Sequence, residues 1–297
     1  MCGIFGFVGK YNQELKRFLA WMNSERGTDG FGVVWRDKGW HMGKAGESIK
    51  DLMESEKKFA DFEPWLKSHV SLGHTRRQST YAHIGGKSTK NSHPFEGKDW
   101  IAFHNGYIQN HYQLEKDFGT VNDKVDSAVV PCILDAAGLE GLANICGKAS
   151  VVAVKKSDTT KIYIWCWQQD LSIARLDGGF IYSSEGDHIE SLGVSSDSIT
   201  TVDENDGSLY TISTKDGSIL ETKAVKGKVY ATTCFSIATG KALATIGFGR
   251  GISKRLTGLS RKLCPTRSVV VDDLYKWVTE QRRSEEHTSE LQSRQVI

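Results

Sequence analysis

The apolar residues of this chain fall in short, strand-length runs gathered into blocks, and this grouping constrains the fold more than any other feature. The opening Cys2-Gly3-Ile4-Phe5-Gly6-Phe7-Val8-Gly9 interleaves apolar residues with glycine and reads as a buried strand. Residues 13–24 put Leu15, Phe18, Leu19 and Met22 on one face of a helix. A hairpin is expected from 30–35 and 39–44 around Asp37-Lys38-Gly39, then an amphipathic helix over 49–67, a strand over 70–75 and a polar loop over 76–95. A strand over 100–104 ends at Asn105-Gly106, and helices follow over 127–137 and 139–146. Residues 150–155 and 161–168 pair around Ser157-Asp158-Thr159, with further strands over 180–184 and 208–214. Strict alternation of strand and helix would build a doubly wound parallel sheet. Blocks argue instead for an α+β fold of layered, largely antiparallel sheets.

With 297 residues, 39% of them hydrophobic, the chain can bury one large domain, or one domain with an appendage. Its longest apolar runs, such as Val151-Val152-Ala153-Val154, are too short to cross a membrane. The apolar start lacks the basic residues and length of a signal peptide. The six cysteines (Cys2, Cys132, Cys146, Cys166, Cys234, Cys264) show no C-x-x-C spacing, so neither a disulfide framework nor a zinc site is expected. A reducing cytoplasm fits that usage. The histidines likewise lack a compact metal-ligand pattern.

Charge is unevenly spread. Residues 1–225 hold 25 Lys and Arg against 30 Asp and Glu, a net −5, while 226–282 hold 11 against 3, a net +8. We therefore expect one domain over 2–225 and a short basic C-terminal appendage over 226–282. The appendage is either a solvated extension or a contact for nucleic acid or an acidic partner, although it lacks the interleaved aromatics of a single-strand binder. Within it, Gly247-Phe248-Gly249-Arg250-Gly251 lacks the Lys-Ser or Lys-Thr of a phosphate loop and reads as a turn, and 271–282 has helical spacing. Residues 283–297 resemble the translation of a sequencing-adapter oligonucleotide, so they are set apart from the fold and the native C-terminus is expected to be missing.

Chemistry gathers at Cys2. If Met1 is trimmed, Cys2 gains a free α-amine, whose pKa of about 7.7–8.0 leaves much of it neutral near pH 7.5. One residue would then supply nucleophile and base. Asn105 offers a side-chain N–H and Gly106 an unobstructed backbone N–H, a pair able to form an oxyanion hole, although Asn-Gly is also an ordinary turn dipeptide.

Six motifs occur in order: Cys2-Gly3-Ile4-Phe5-Gly6, Arg26-Gly27-Thr28-Asp29-Gly30, Gly73-His74-Thr75-Arg76, Asn91-Ser92-His93-Pro94-Phe95, His104-Asn105-Gly106-Tyr107-Ile108-Gln109-Asn110 and Asp126-Ser127. Together they resemble the glutaminase domain of class II glutamine amidotransferases over residues 2–225. The resemblance implies a four-layer αββα sandwich of the N-terminal-nucleophile (Ntn) hydrolase type, with no cofactor or metal. It implies Cys2 as nucleophile, Asn105 and Gly106 as oxyanion hole, Arg76 on the glutamine α-carboxylate and Asp126 on its α-ammonium. Arg26, Gly27 and His104 would shape the substrate pocket, and Ser183-Ser184-Glu185 would be scaffold. A γ-glutamyl thioester on Cys2 would release ammonia and then glutamate. Family members usually carry an acceptor domain as well, which 226–282 is too short to hold, so a separate synthetase or transferase is the expected partner.

The chain departs from the family where Arg76 is followed by Arg77-Gln78-Ser79-Thr80 instead of Trp-Ala-Thr, which removes the apolar cover of a lid. A glutamine sensor with little turnover and an Ntn amidohydrolase acting on another amide are the alternatives.

Overall fold

The computed structural model describes residues 2–78, 87–176, 178–202 and 207–229, and the backbone of 233–235 and 242–244. The chain divides into two compact units, Met1–Tyr230 and Ala231–Ile297. In the second, strands Thr233–Phe235 and Ala242–Ala244 pair antiparallel. The Cys234 side chain, Cys264, the glycine-rich 247–251, the expected helix over 271–282 and residues 283–297 lie outside the described residues.

The first unit holds thirteen described strands: β1 (Gly3–Val8), β2 (Gly30–Asp37), β3 (Gly39–Ala45), β4 (Val70–Arg76), β5 (Phe95–Glu96), β6 (Trp100–Ile108), β7 (Gly147–Lys155), β8 (Asp158–Trp167), β9 (Ser172–Leu176), β10 (Gly179–Ser183), β11 (Ile199–Thr201), β12 (Ser208–Ser213) and β13 (Ile219–Ala224). They form a seven-stranded sheet, β11-β9-β10-β1-β4-β2-β3, and a six-stranded sheet, β13-β12-β8-β7-β6-β5. The described ladders are antiparallel, with β1 central in the first sheet, between β10 and β4.

Alternation along each strand divides the core into three. Ile4, Val8, Val34, Leu72, Phe103, Val152, Ile164 and Phe180 meet between the sheets. On the outer face of the second sheet, Trp100, Ala102, Val151 and Trp165 pack on α5 (His111–Phe118) and α6 (Val130–Ala137) through Leu114, Val130, Ile133 and Leu134. On the outer face of the first, Phe5, Phe7, Phe31 and Val33 pack on α1 (Gln13–Asn23), α2 (Ile49–Met53), α3 (Glu56–Phe59), α4 (Glu63–Lys67) and α7 (Gly186–Glu190). The result is the four-layer αββα sandwich that the family resemblance implies.

Several elements differ from the sequence expectation, each for a local reason. The helix expected over 49–67 is broken into α2, α3, a 3₁₀ turn at Ala60–Phe62 and α4. Ser48 opens α2 with a capping box, Ser55 caps α3, and Pro64 sits in the first turn of α4, so polar caps restart the helix. Residues 139–146 form a 3₁₀ segment, Leu139–Asn144, in place of a helix. The strand expected over 100–104 continues to Ile108, so Asn105-Gly106 lies inside β6 and is not its terminal turn. The buried face of α1 is Lys16, Leu19, Ala20, Met22 and Asn23, whereas Phe18 is exposed and stacks on Trp21.

Lys16 explains that rotation. Its buried ammonium donates to the Leu66 carbonyl at 2.9 Å, to the Ser68 carbonyl and to Ser71 Oγ at 3.0 Å. It thus ties α1 to the end of α4, whose last carbonyls have no partner within the helix. Burial pushes the Lys16 pKa down to about 8, while the three oxygen acceptors hold the charged form in place. Lys16→Met removes the donor shared by these acceptors and leaves the Leu66 carbonyl without this partner. The expected outcome is a loss of about 1–3 kcal/mol in urea unfolding at pH 7.

Candidate active site

Cys2 stands immediately before β1. Carrying the strand alternation one step back from Ile4, which faces the other sheet, puts Cys2 on the inter-sheet side at one end of the sandwich. Its thiol keeps some solvent access, but packed atoms surround it, and this burial pushes the thiol pKa up. The Arg77 backbone N–H and the Arg76 charge act in the opposite direction. The Arg77 N–H lies 3.3 Å from Cys2 Sγ, and Sγ lies 3.6 Å from the Arg77 carbonyl oxygen. Arg77 therefore meets the thiol through its backbone, while its side chain is exposed.

Arg76 ends β4 opposite Gly30, and its buried guanidinium interacts electrostatically with Cys2, Asp29 and Asp126. Asp29 brackets the turn after it: the Asp29 N–H donates to the Arg76 carbonyl at 2.8 Å, and the Asp29 carboxylate accepts from the Gln78 N–H at 2.8 Å. Lys87 forms an ion pair with the same carboxylate at 3.1 Å. Gly27 is required by this close packing, because a Cβ there would sit 2.5 Å from the Thr75 carbonyl oxygen. Arg26 donates from Nε to the Cys2 carbonyl at 2.9 Å and forms an ion pair with Glu185.

Asn105 and Gly106 lie in β6, paired with Ser150 and Ala149 of β7. Gly106 has φ 137° and a Cβ there would collide with the Lys148 carbonyl, so only glycine suits the position. Asn105 is buried and donates from Nδ2 to Ser184 Oγ at 3.2 Å. The Asp126 carboxylate accepts from the Ile108 N–H at 2.9 Å, just past Gly106 on the same strand.

His104 points away from the inter-sheet side, as alternation with Asn105 requires. It is buried, with Nδ1 2.8 Å from Ser127 Oγ, so it supports the turn that carries Asp126. His74 approaches the His104 carbonyl through Nε2 at 3.1 Å and stacks on His93, ring centres 3.9 Å apart. Neither ring nitrogen of His93 has a hydrogen-bond partner among the described residues. Burial pushes the His74 pKa down to about 3 and the His93 pKa well below its ordinary value. Three buried, neutral imidazoles thus lie behind the Arg76 and Asp126 pair.

The site thus collects Cys2, Arg26, Gly27 and Arg76 from the first sheet and its loops, and Asn105, Gly106 and Asp126 from the second sheet and the turn after it. Sequence reasoning gave no role to Asp29, the Arg77 backbone or Ser127, and took Ser184 as scaffold. Their contribution is contact geometry, which local spacing does not encode. Among the described residues, no group of three or more His, Cys, Asp or Glu is arranged to hold a metal ion, and no helix is long and apolar enough to cross a membrane.

No family model matches the chain. It is 34% identical over 142 residues to 7-cyano-7-deazaguanine synthase 2 of Sulfurisphaera tokodaii, covering 46% of this chain and 30% of that protein. It is 28% identical over 223 residues to the isomerizing glutamine–fructose-6-phosphate aminotransferase of Halalkalibacterium halodurans, covering 69% of this chain and 35% of that one. Among solved structures, it superimposes on glutamine phosphoribosylpyrophosphate amidotransferase from B. subtilis with a TM-score of 0.59 at 18% identity, over 78% of this chain and 51% of that chain. The chain thus spans about a third of the length of these two curated relatives.

The buried histidines make stability depend on acid. Unfolded histidines protonate below about pH 6.5, whereas His74 in the fold stays neutral to about pH 3. The unfolded state therefore binds more protons in this window, and the stability present above pH 6.5 is lost as pH falls toward 3. For His74 this cost is about 2 kcal/mol by pH 5. His93→Phe, which sacrifices no hydrogen bond seen here, is expected to fold at pH 7 and to lose less stability than wild type between pH 7 and pH 5 in urea titrations.

Proposed function

From the premise that this chain belongs to the class II, N-terminal-nucleophile glutamine amidotransferases, we propose that it hydrolyses the side-chain amide of glutamine and passes the ammonia to a separate acceptor enzyme. The observation that carries this reading is the convergence of Arg76 and Asp126, opposite charges that both act on the Cys2 thiol. An α-amino acid needs such a pair: a guanidinium for its carboxylate and a carboxylate for its ammonium. Another amide substrate would not.

The mechanism follows from these positions. Burial keeps the Cys2 thiol protonated at rest, so it needs a base. Removal of Met1 supplies one, the α-amine of Cys2 itself, which accepts the thiol proton as sulfur attacks the carboxamide carbon. The oxyanion develops toward the second N–H of Asn105 and the backbone N–H of Gly106. The protonated amine then gives its proton to departing ammonia, leaving a γ-glutamyl thioester. Water, deprotonated by the same amine, releases glutamate and restores the thiol. Arg26 holds the Cys2 carbonyl, and His104 steadies Asp126 through Ser127. Replacement of the family's tryptophan by Arg77 leaves the backbone contact with Cys2 in place, which favours turnover over sensing alone.

We assign this activity to residues 2–225 and regard the basic 226–282 as an extension. The names of the curated relatives point to two destinations for the nitrogen, fructose 6-phosphate as acceptor and 7-cyano-7-deazaguanine as product. Either fits a partner that receives ammonia.

The test is glutamate release from glutamine by protein whose mass shows loss of Met1. Turnover in wild type, abolished in Cys2→Ser, supports the proposal. Glutamine binding with no release supports a sensor, and no affinity for glutamine overturns both. Asn105→Ala is expected to lower kcat by about 10²–10³. Arg76→Lys, which keeps the charge but loses the planar fork, is expected to raise KM by roughly 10–100-fold.

A further inference from the structure

Ser184 lies one residue past β10 and is buried, yet its hydroxyl meets both halves of the site. Ser184 Oγ accepts from the Ile4 N–H at 2.9 Å, two residues after the nucleophile. It also accepts from Asn105 Nδ2 at 3.2 Å, across the gap between the sheets. The Ser184 hydroxyl and backbone N–H both point to the Ile4 carbonyl, at 3.4 and 2.9 Å. A hydroxyl has one hydrogen and two lone pairs. Here the hydrogen is directed at Ile4 O, one lone pair faces Ile4 N–H, and the remaining one faces Asn105.

We infer that Ser184 is a positioning residue that orients the Asn105 amide for oxyanion stabilisation. The inference rests on the glutaminase reading above and assigns a further residue to it. An amide side chain has two nearly isosteric ends, and rotation by half a turn would exchange Nδ2 for Oδ1. An acceptor lone pair at Ser184 admits only the N–H end. One N–H of Nδ2 is then spent on Ser184, and the other remains for the developing oxyanion. The flipped amide would present Oδ1 to an occupied lone pair and to the oxyanion, repelling both. Because the same hydroxyl is pinned to the backbone of Ile4, the donor is held in register with β1, the strand that begins directly after Cys2. The flanking residues serve the same region: Ser183 Oγ accepts from Asn23 Nδ2 at 3.2 Å, and Glu185 pairs with the Arg26 that holds the Cys2 carbonyl. Only Ser184 of the three contacts Asn105 among the contacts described.

The experiment compares wild type, Ser184→Ala, Ser184→Thr, Asn105→Ala and the Ser184→Ala/Asn105→Ala double variant, all with Met1 removed. Each is assayed for glutamine hydrolysis, for thermal unfolding, and for inhibition by the aldehyde analogue of glutamine. Cys2 sulfur adds to the aldehyde carbon as the C=O π bond opens, and the thiol proton passes to the new oxygen. That oxygen occupies the oxyanion position without any leaving group. Ser184→Ala is expected to lower kcat on the order of 10-fold, to leave KM within about twofold, and to weaken aldehyde inhibition by a similar factor. Ser184→Thr, which keeps the hydroxyl, restores most of the rate. The double variant is expected to be no slower than Asn105→Ala, because the serine acts through the asparagine. Full kcat in Ser184→Ala, a loss confined to KM, or losses that multiply in the double variant overturn the inference while leaving the glutaminase reading intact. If Ser184→Ala does not fold, the comparison of Ser184→Thr with Ser184→Val decides: equal kcat in the two overturns it. A wild-type protein that binds glutamine but releases no glutamate overturns the glutaminase reading, and the inference falls with it.

Discussion

The ladder that holds β1 between β4 and β10 is the constraint on which the site depends. Its register sets Gly3 opposite Thr75 and Phe5 opposite Ser183, so the residue before β1 lies beside Arg76 and Arg77 on one side and near Ser184 on the other. A slip by one residue would turn every side chain of β1 to the opposite face. Ile4 and Val8 would leave the inter-sheet core, Phe5 and Phe7 would leave the helical layer, and Cys2 would point away from the second sheet. The apolar demand of two separate cores therefore fixes the direction of the thiol, and the geometry of the proposed site is tied to packing that is distant from it.

Electrostatics at the site are arranged around this anchor. The site gathers Arg26 and Arg76 with Asp126 and Asp29 near one half-buried sulfur. Behind them the polar groups are neutral: His74, His93 and His104 are all held below their ordinary pKa by burial. A charged imidazole there would compete with Arg76 for anionic groups and would have to be desolvated. Neutral rings support the strand ends without adding to the charge at the site, at the cost of sensitivity to acid.

The readable parts of the fold were those where local pattern and tertiary demand agree. The strand at 3–8, the hairpin of β2 and β3, and the pairing of β7 with β8 follow from alternation and turn residues. The chain segments hardest to read were those set by partners far away in sequence. The face of α1 departs from its apolar spacing because Lys16 counts as polar, yet three oxygens from residues 66–71 bring it inside. Asn105-Gly106 looked like a turn because that dipeptide favours one, but nine residues of pairing with β7 carry the strand through it. The short strands β5, β9 and β11, the first and last of them at sheet edges, lack a strong pattern of their own and owe their conformation to neighbours.

By itself, the sequence determined the layered α+β architecture and the inventory of the site: a cysteine directly after Met1, an Asn-Gly pair, an arginine at a strand end and an aspartate before a helix. Those follow from residue chemistry and order, which are local properties. Only the tertiary structure decided how they act on one another: the Arg77 backbone donor at the sulfur, the Asp29 bracket beneath it, and the Ser184 hydroxyl between Ile4 and Asn105. These contacts join residues separated by tens to nearly two hundred positions. Hydrogen bonds are satisfied at distances near 3 Å, and nothing in the linear pattern specifies which distant groups packing will bring that close.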